Sequence, residues 1–209
     1  MRIRRLWVSC DLPKNRGGFY DMKNTKVSVT AFCGVCVAMN IVLGIITAAL
    51  GIPLYLDTLG TVLTAALFGP VPGIIVGALS NIITGLIYSV RDIPFALVNM
   101  AVGLVVGLVA KKFKFTLISA AITGLALSVI CPAIGTPIGI FVYGGLQGNI
   151  SDIVVTGLVK AGQSIFAASF LTKVASNLID KVGTCIIGFL LIKAMPARFL
   201  ATLKGEEVA

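Results

Sequence analysis

Histidine is absent from this chain, and acidic residues are scarce: eight Asp and Glu stand against seventeen Lys and Arg in 209 residues. Without histidine there is no Ser-His or Cys-His nucleophile pair, no His-ligated metal and no imidazole proton relay. Charge of either sign is sparse, at 12% of residues where an ordinary soluble domain carries about a quarter. Cysteine builds no framework. Cys10 lies in a polar tail, whereas Cys33, Cys36, Cys131 and Cys185 sit in apolar runs. The Cys33-x-x-Cys36 spacing lacks the second pair a zinc site needs, so these read as buried free thiols. No nucleotide-binding loop occurs, so the chain cannot energise work by itself. Neither a protease dyad nor a metal set is present; no enzyme and no cofactor are expected.

What remains is apolar: 57% hydrophobic residues and a mean hydropathy of +1.04. Several runs approach the length that crosses about 30 Å of hydrocarbon. The fold class is therefore an all-α membrane protein, a six-transmembrane-helix bundle with both termini cytoplasmic. The net charge of +9 sits at helix ends and tails, which the positive-inside bias explains without nucleic acid.

The expected organisation is a basic tail over 1–26, a membrane domain over 27–195 and a second tail over 196–209. The first tail has no secretory signal, and Met22 followed by Lys-Asn-Thr-Lys is an alternative start. Helices are expected over 27–50, 58–68, 74–90, Pro94 to Ala110, 115–143 (interrupted at Pro132 and Pro137) and 174–195. An amphipathic stretch over 153–171 reads as a surface helix or a lid.

Polar groups fall at helical spacing. Asp57, Thr61 and Thr64 stand at i, i+4, i+7; Gly77, Asn81, Thr84 and Tyr88 repeat a +4, +3, +4 step, as do Lys173, Asn177, Asp180 and Thr184. Such a stripe must face protein or water, because an ionisable or amide group facing lipid costs several kcal/mol. Asp57, Tyr88, Asn99, Asn177 and Asp180, from different helices, all fall in the outer half of the membrane, the signature of a small-molecule pocket. The competing reading is interhelical glue, Asn81 with Asn99 and Asp180 with Lys181 or Lys173. On the first helix, Gly34 and Ala38 make a small-xxx-small pair that serves either a partner helix or packing within the bundle. Purely apolar inner halves argue against a channel.

Taken in order, LDTLGT (56–61), GPVPG (69–73), VGALSNIITG (76–85), PFALVN (94–99), GTPI (135–138), NLIDK (177–181) and KAMPARF (193–199) resemble the S component of energy-coupling factor (ECF) transporters. The resemblance covers most of the chain from Met22. It implies a subunit that captures a nutrient from outside and docks on a module of one transmembrane scaffold and two ATPases. Within the family a small-residue face on the first helix meets that module; here Ala31, Gly34 and Ala38 are the nearest match, with Val35 where another small residue would fall. The candidate pocket residues are Tyr55, Asp57, Thr61, Asn81, Thr84, Tyr88, Asn99, Asn177 and Asp180. Two carboxylates and few cations suggest a neutral or mildly cationic ring compound; the subgroup of the family that the chain most resembles implies a cobamide-related molecule first and a queuosine precursor second. A membrane sensor binding a small ligand without transport is the alternative, ranked lower because no signalling domain follows Ala209.

Overall fold

The computed structural model describes residues 19–50, 55–148 and 151–204, with side chains from Val27 to Leu203. The described residues are helices joined by short turns, without a strand among them. In order they are α1 (Phe19–Ala49), α2 (Leu59–Phe68), α3 (Pro70–Ile87), a 3₁₀ turn (Val90–Phe95), α4 (Ala96–Lys112), α5 (Leu117–Tyr143), α6 (Ser151–Lys160), α7 (Ile165–Ala194) and α8 (Ala197–Lys204). Five segments are long and apolar enough to cross a membrane: Val27–Ala49, Pro70–Ile87, Val90–Lys112, Leu117–Tyr143 and Ile165–Ala194.

The segment expected to make another crossing is different. Helix α2 has ten residues, about 15 Å of helix, half of what a span needs. Every residue from Leu59 to Leu67 is buried. It packs against α1, α3, α4 and α7, so this short helix is the centre and the long ones surround it. Its ends follow from local chemistry. Gly69 adopts φ 92° and Pro70 opens α3, a proline placed where its missing N–H costs nothing.

In lipid the hydrophobic effect does not press helices together; close packing at small residues does. A Cβ added to Gly77 would lie 2.6 Å from the Asn99 carbonyl oxygen, and one added to Gly103 or Gly107 would strike the backbone of Gly73 or Pro70. Helices α3 and α4 therefore touch backbone to backbone. Gly60 does the same against Cys36 on α1. Phe32 meets Phe68 at 5.6 Å and Phe199 at 6.3 Å between ring centroids. The first half of α1, the end of α2 and α8 thus share one end of the bundle.

Several expected boundaries move. Residues 1–18 lie outside the described ones, as do 51–54 (with Gly51 and Pro53), 149–150 and 205–209; α1 begins at Phe19, so the last part of the expected tail is helical. Likewise Ala197–Lys204 of the expected C-terminal tail forms α8. Helix α5 runs unbroken through Pro132 and Pro137, and Lys173 donates to the Gly135 carbonyl between the two prolines. The final span starts at Ile165 rather than near 174. Gly162 at φ 93° follows α6, and the Ser164 hydroxyl accepts from the Ala167 N–H to open α7.

Candidate functional site

A cavity of about 700 Å³ opens at the end of the bundle opposite the Phe32 cluster. Its walls come from α1 (Asn40, Gly44, Thr47, Ala48), the coil before α2 (Tyr55, Asp57, Thr58), α3 (Ser80, Asn81, Thr84), the 3₁₀ turn and α4 (Asp92, Phe95, Val98, Asn99), α5 (Cys131, Pro132, Gly135, Tyr143), the following loop with Ser151 (Gln147, Gly148), and α7 (Lys173, Asn177, Lys181). Nothing from α2 itself lines it. The cavity occupies the depth that α2 is too short to fill.

The coil at 55–58 is irregular backbone inside the bundle, and its N–H groups need partners there. Asp180 provides them: one carboxylate oxygen accepts from the N–H of Tyr55 at 3.0 Å and of Leu56 at 2.9 Å. Its other oxygen stands 2.7 Å from Lys181 Nζ. Lys181 also donates to the Thr58 hydroxyl at 3.1 Å and lies 3.9 Å from Asp57 Oδ1. Leu56 holds φ 45°, a left-handed conformation unfavourable for a branched side chain. The two hydrogen bonds accepted by Asp180 keep it there. Asp57 Oδ1 is itself buried without a hydrogen-bond partner and faces Lys181, whereas the side chain as a whole is 38% exposed and lines the cavity.

A second group of polar side chains joins α1 to α4 below the cavity. Asn40 donates to Thr61 and Ser80, both at 3.0 Å, and accepts from the Gly60 N–H at 2.6 Å. Thr61 donates to Asn99 Oδ1 at 2.8 Å, and Asn99 donates to Asn81 Oδ1 at 2.8 Å. At the mouth, the Tyr143 hydroxyl donates to Asp92 at 2.7 Å. Elsewhere in the lining Lys173 Nζ stands 5.8 Å from the centre of the Phe95 ring, within cation–π reach.

Six of the nine residues expected at the pocket line it: Tyr55, Asp57, Asn81, Thr84, Asn99 and Asn177. Three do not. Thr61 is fully buried and reaches the cavity only through its hydrogen bonds with Asn40 and Asn99. Asp180 is 1% exposed and turned towards the coil. Tyr88 caps α3 beyond its last turn and is 61% exposed, away from the cavity. Asp57 lines the cavity but is not part of a helical stripe, because α2 begins only at Leu59. The expected shortage of cations is also corrected: Lys173 and Lys181 accompany Asp57 and Asp92 in the lining, with Lys181 matched by Asp180 behind it. Asn40 was missed, although Asn40, Gly44 and Thr47 repeat the i, i+4, i+7 spacing that marks the other walls. Ala31, Gly34 and Ala38 all lie exposed on the outer side of α1, and nothing lies within 4 Å of where a Gly34 side chain would begin.

Residues 24–197 match the model of the family described as ECF-type riboflavin transporter, S component. No curated protein and no solved structure gives a significant match.

Proposed function

The chain belongs to the S-component family of ECF-type riboflavin transporters, and from that premise we propose that its cavity captures a riboflavin-class flavin from outside the cell. Members are integral membrane subunits that bind substrate for transport and are not enzymes. The observation that carries the ligand reading is the cavity: about 700 Å³, within the range that buries a drug-sized molecule, and lined by a carboxylate (Asp57) as well as by donors. An uncharged heteroaromatic ring system with carbonyls, N–H groups and a hydroxylated tail suits those features. A corrinoid, with its macrocycle and nucleotide tail, is poorly matched to that volume. A deazapurine queuosine precursor would leave much of it empty.

The basic residues Lys111, Lys112, Lys193 and Arg198 lie at the end of the bundle away from the cavity mouth, which the positive-inside bias places in the cytoplasm. On this reading the coil and α2 together complete a sixth passage, both termini are cytoplasmic, and the cavity opens outwards. Emptying it then falls to the ECF module, a scaffold subunit with two ATPases, met by the exposed Ala31, Gly34 and Ala38 face. The site residues proposed to touch ligand are Tyr55, Asp57, Asn81, Thr84, Asn99 and Asn177, joined by Asn40, Lys173 and Lys181.

The deciding experiment purifies the protein in mild detergent and identifies the small molecule that remains bound by mass spectrometry, with quenching of riboflavin fluorescence as the titration. A flavin bound at one site per chain is expected. A corrinoid or deazapurine in its place, with no riboflavin quenching, would overturn the ligand assignment. A chain that never co-purifies with a scaffold or ATPase would instead favour the sensor reading.

A further inference from the structure

The hydrogen bonds beneath the cavity run in one direction, and backbone groups fix it at both ends. The Gly60 N–H can only donate, so the atom 2.6 Å from it must be the Asn40 carbonyl oxygen, and the Asn40 amide protons go to Thr61 and Ser80. The Ser80 hydroxyl passes its proton to the Val76 carbonyl at 2.8 Å. Thr61, already an acceptor, has one proton and gives it to Asn99 at 2.8 Å, which makes that atom of Asn99 its oxygen. The two Asn99 amide protons then meet Asn81 Oδ1 at 2.8 Å and the Asp57 backbone carbonyl at 3.4 Å. A carbonyl can only accept, so turning Asn99 over would set two oxygens against each other. Amide orientation follows here from the network, with no free choice left.

The chain of bonds ends on Asn81. Its oxygen is taken by Asn99, and its amide nitrogen has no acceptor among the described residues, although Asn81 lines the cavity. We propose that Asn81 is a specificity-determining donor: it takes a hydrogen-bond acceptor of the ligand, a carbonyl oxygen or an unprotonated ring nitrogen, and rejects compounds that present N–H at that point. This rests on the reading of the cavity as the capture site. Neither Asn40 nor Asn99 can substitute, because their amide protons are already spent inside the protein. A site built to hydrogen-bond its substrate discriminates strongly against a partner that leaves the buried group unpaired.

Asn81→Asp separates this role from a structural one. The new carboxylate still accepts from Asn99, so the bond between α3 and α4 survives, while the group facing the cavity changes from donor to acceptor. Full-length wild type and Asn81→Asp are titrated in detergent at pH 8 with riboflavin, 7-aminomethyl-7-deazaguanine and cobinamide, and their thermal unfolding is recorded without ligand. The expected result is an unfolding temperature within about 3 °C of wild type and an affinity for riboflavin at least about thirtyfold weaker. Riboflavin affinity within threefold of wild type would overturn the assignment of Asn81 while leaving the flavin reading intact. If wild type binds one of the other two compounds instead, the flavin reading fails and the same ratio on that compound decides Asn81. Binding of none of the three overturns both. If Asn81→Asp does not fold, Asn81→Ala decides: at least a tenfold loss supports the donor role, and a change within threefold refutes it.

Discussion

Replacing Asp180 by asparagine is the most demanding perturbation of this bundle. The carboxylate does two things at once, holding the N–H groups of Tyr55 and Leu56 and standing 2.7 Å from Lys181. In the Asp180→Asn variant the side-chain amide would keep one oxygen for the coil, so those bonds persist in weaker, neutral form. What the amide cannot do is neutralise Lys181, which is 3% exposed and would be left with Asp57 at 3.9 Å as its carboxylate partner. Breaking a buried pair from one side costs about 3–5 kcal/mol. For a chain of this size that is a drop of roughly 6–20 °C in unfolding temperature. Lys181→Met removes the other charge, and the double variant Asp180→Asn, Lys181→Met removes both without stranding either. The two losses are therefore expected to be non-additive by about 2–3 kcal/mol, read from thermal or denaturant unfolding of the four proteins in one detergent. An Asp180→Asn protein that unfolds within 2 °C of wild type, or a strictly additive cycle, would refute the claim that this pair pins the coil into the bundle.

Other substitutions test separate parts of the architecture. Gly77→Ala sets a methyl group 2.6 Å from the Asn99 carbonyl, so α3 and α4 must part; a loss of about 1–3 kcal/mol is expected, with weakened riboflavin binding as Asn81 and Asn99 separate. Gly34→Leu adds bulk where nothing lies within 4 Å, so stability should stay within about 0.5 kcal/mol and ligand affinity should hold, while co-purification with the ECF module falls at least tenfold. Retained co-purification would remove the α1 face from the docking surface. Tyr88→Ala is expected to leave affinity within twofold, because the side chain is exposed outside the cavity; a larger loss in the titration would place it at the site after all.

The helical nature of the fold and five of the six expected spans were legible because hydrocarbon permits so few alternatives: long apolar runs bounded by Gly, Pro and Lys clusters have one reading. Asn81 and Asn99 were legible for the same reason, since an amide on an apolar helix must find a partner or a cavity, and here each finds both. Spacing failed where a regular element was assumed. Asp57 stands four residues before Thr61, yet the helix starts between them, so the shared stripe is a coincidence of numbering. Tyr88 continues the spacing of Asn81 and Thr84, yet α3 ends at Ile87. On α7 the stripe predicted Asp180 for the cavity. Lys181, one residue and about 100° further round the helix, is the one that lines it.

That exchange between neighbours has a physical cause. The coil at 55–58 carries N–H groups that only a strong acceptor can satisfy at this depth, and a carboxylate is the strongest available. Once Asp180 is committed to the coil, its countercharge must sit beside it, and Lys181 is the adjacent residue able to reach both Asp180 and the hydroxyl of Thr58. The coil exists, in turn, because α2 begins only at Leu59; a full-length helix there would fill the volume now open above it. An α2 extended by a turn or more would therefore remove the cavity, release Asp180 from its task and leave two buried charges with nothing to hold. Cavity, irregular coil and buried ion pair thus follow from one short helix.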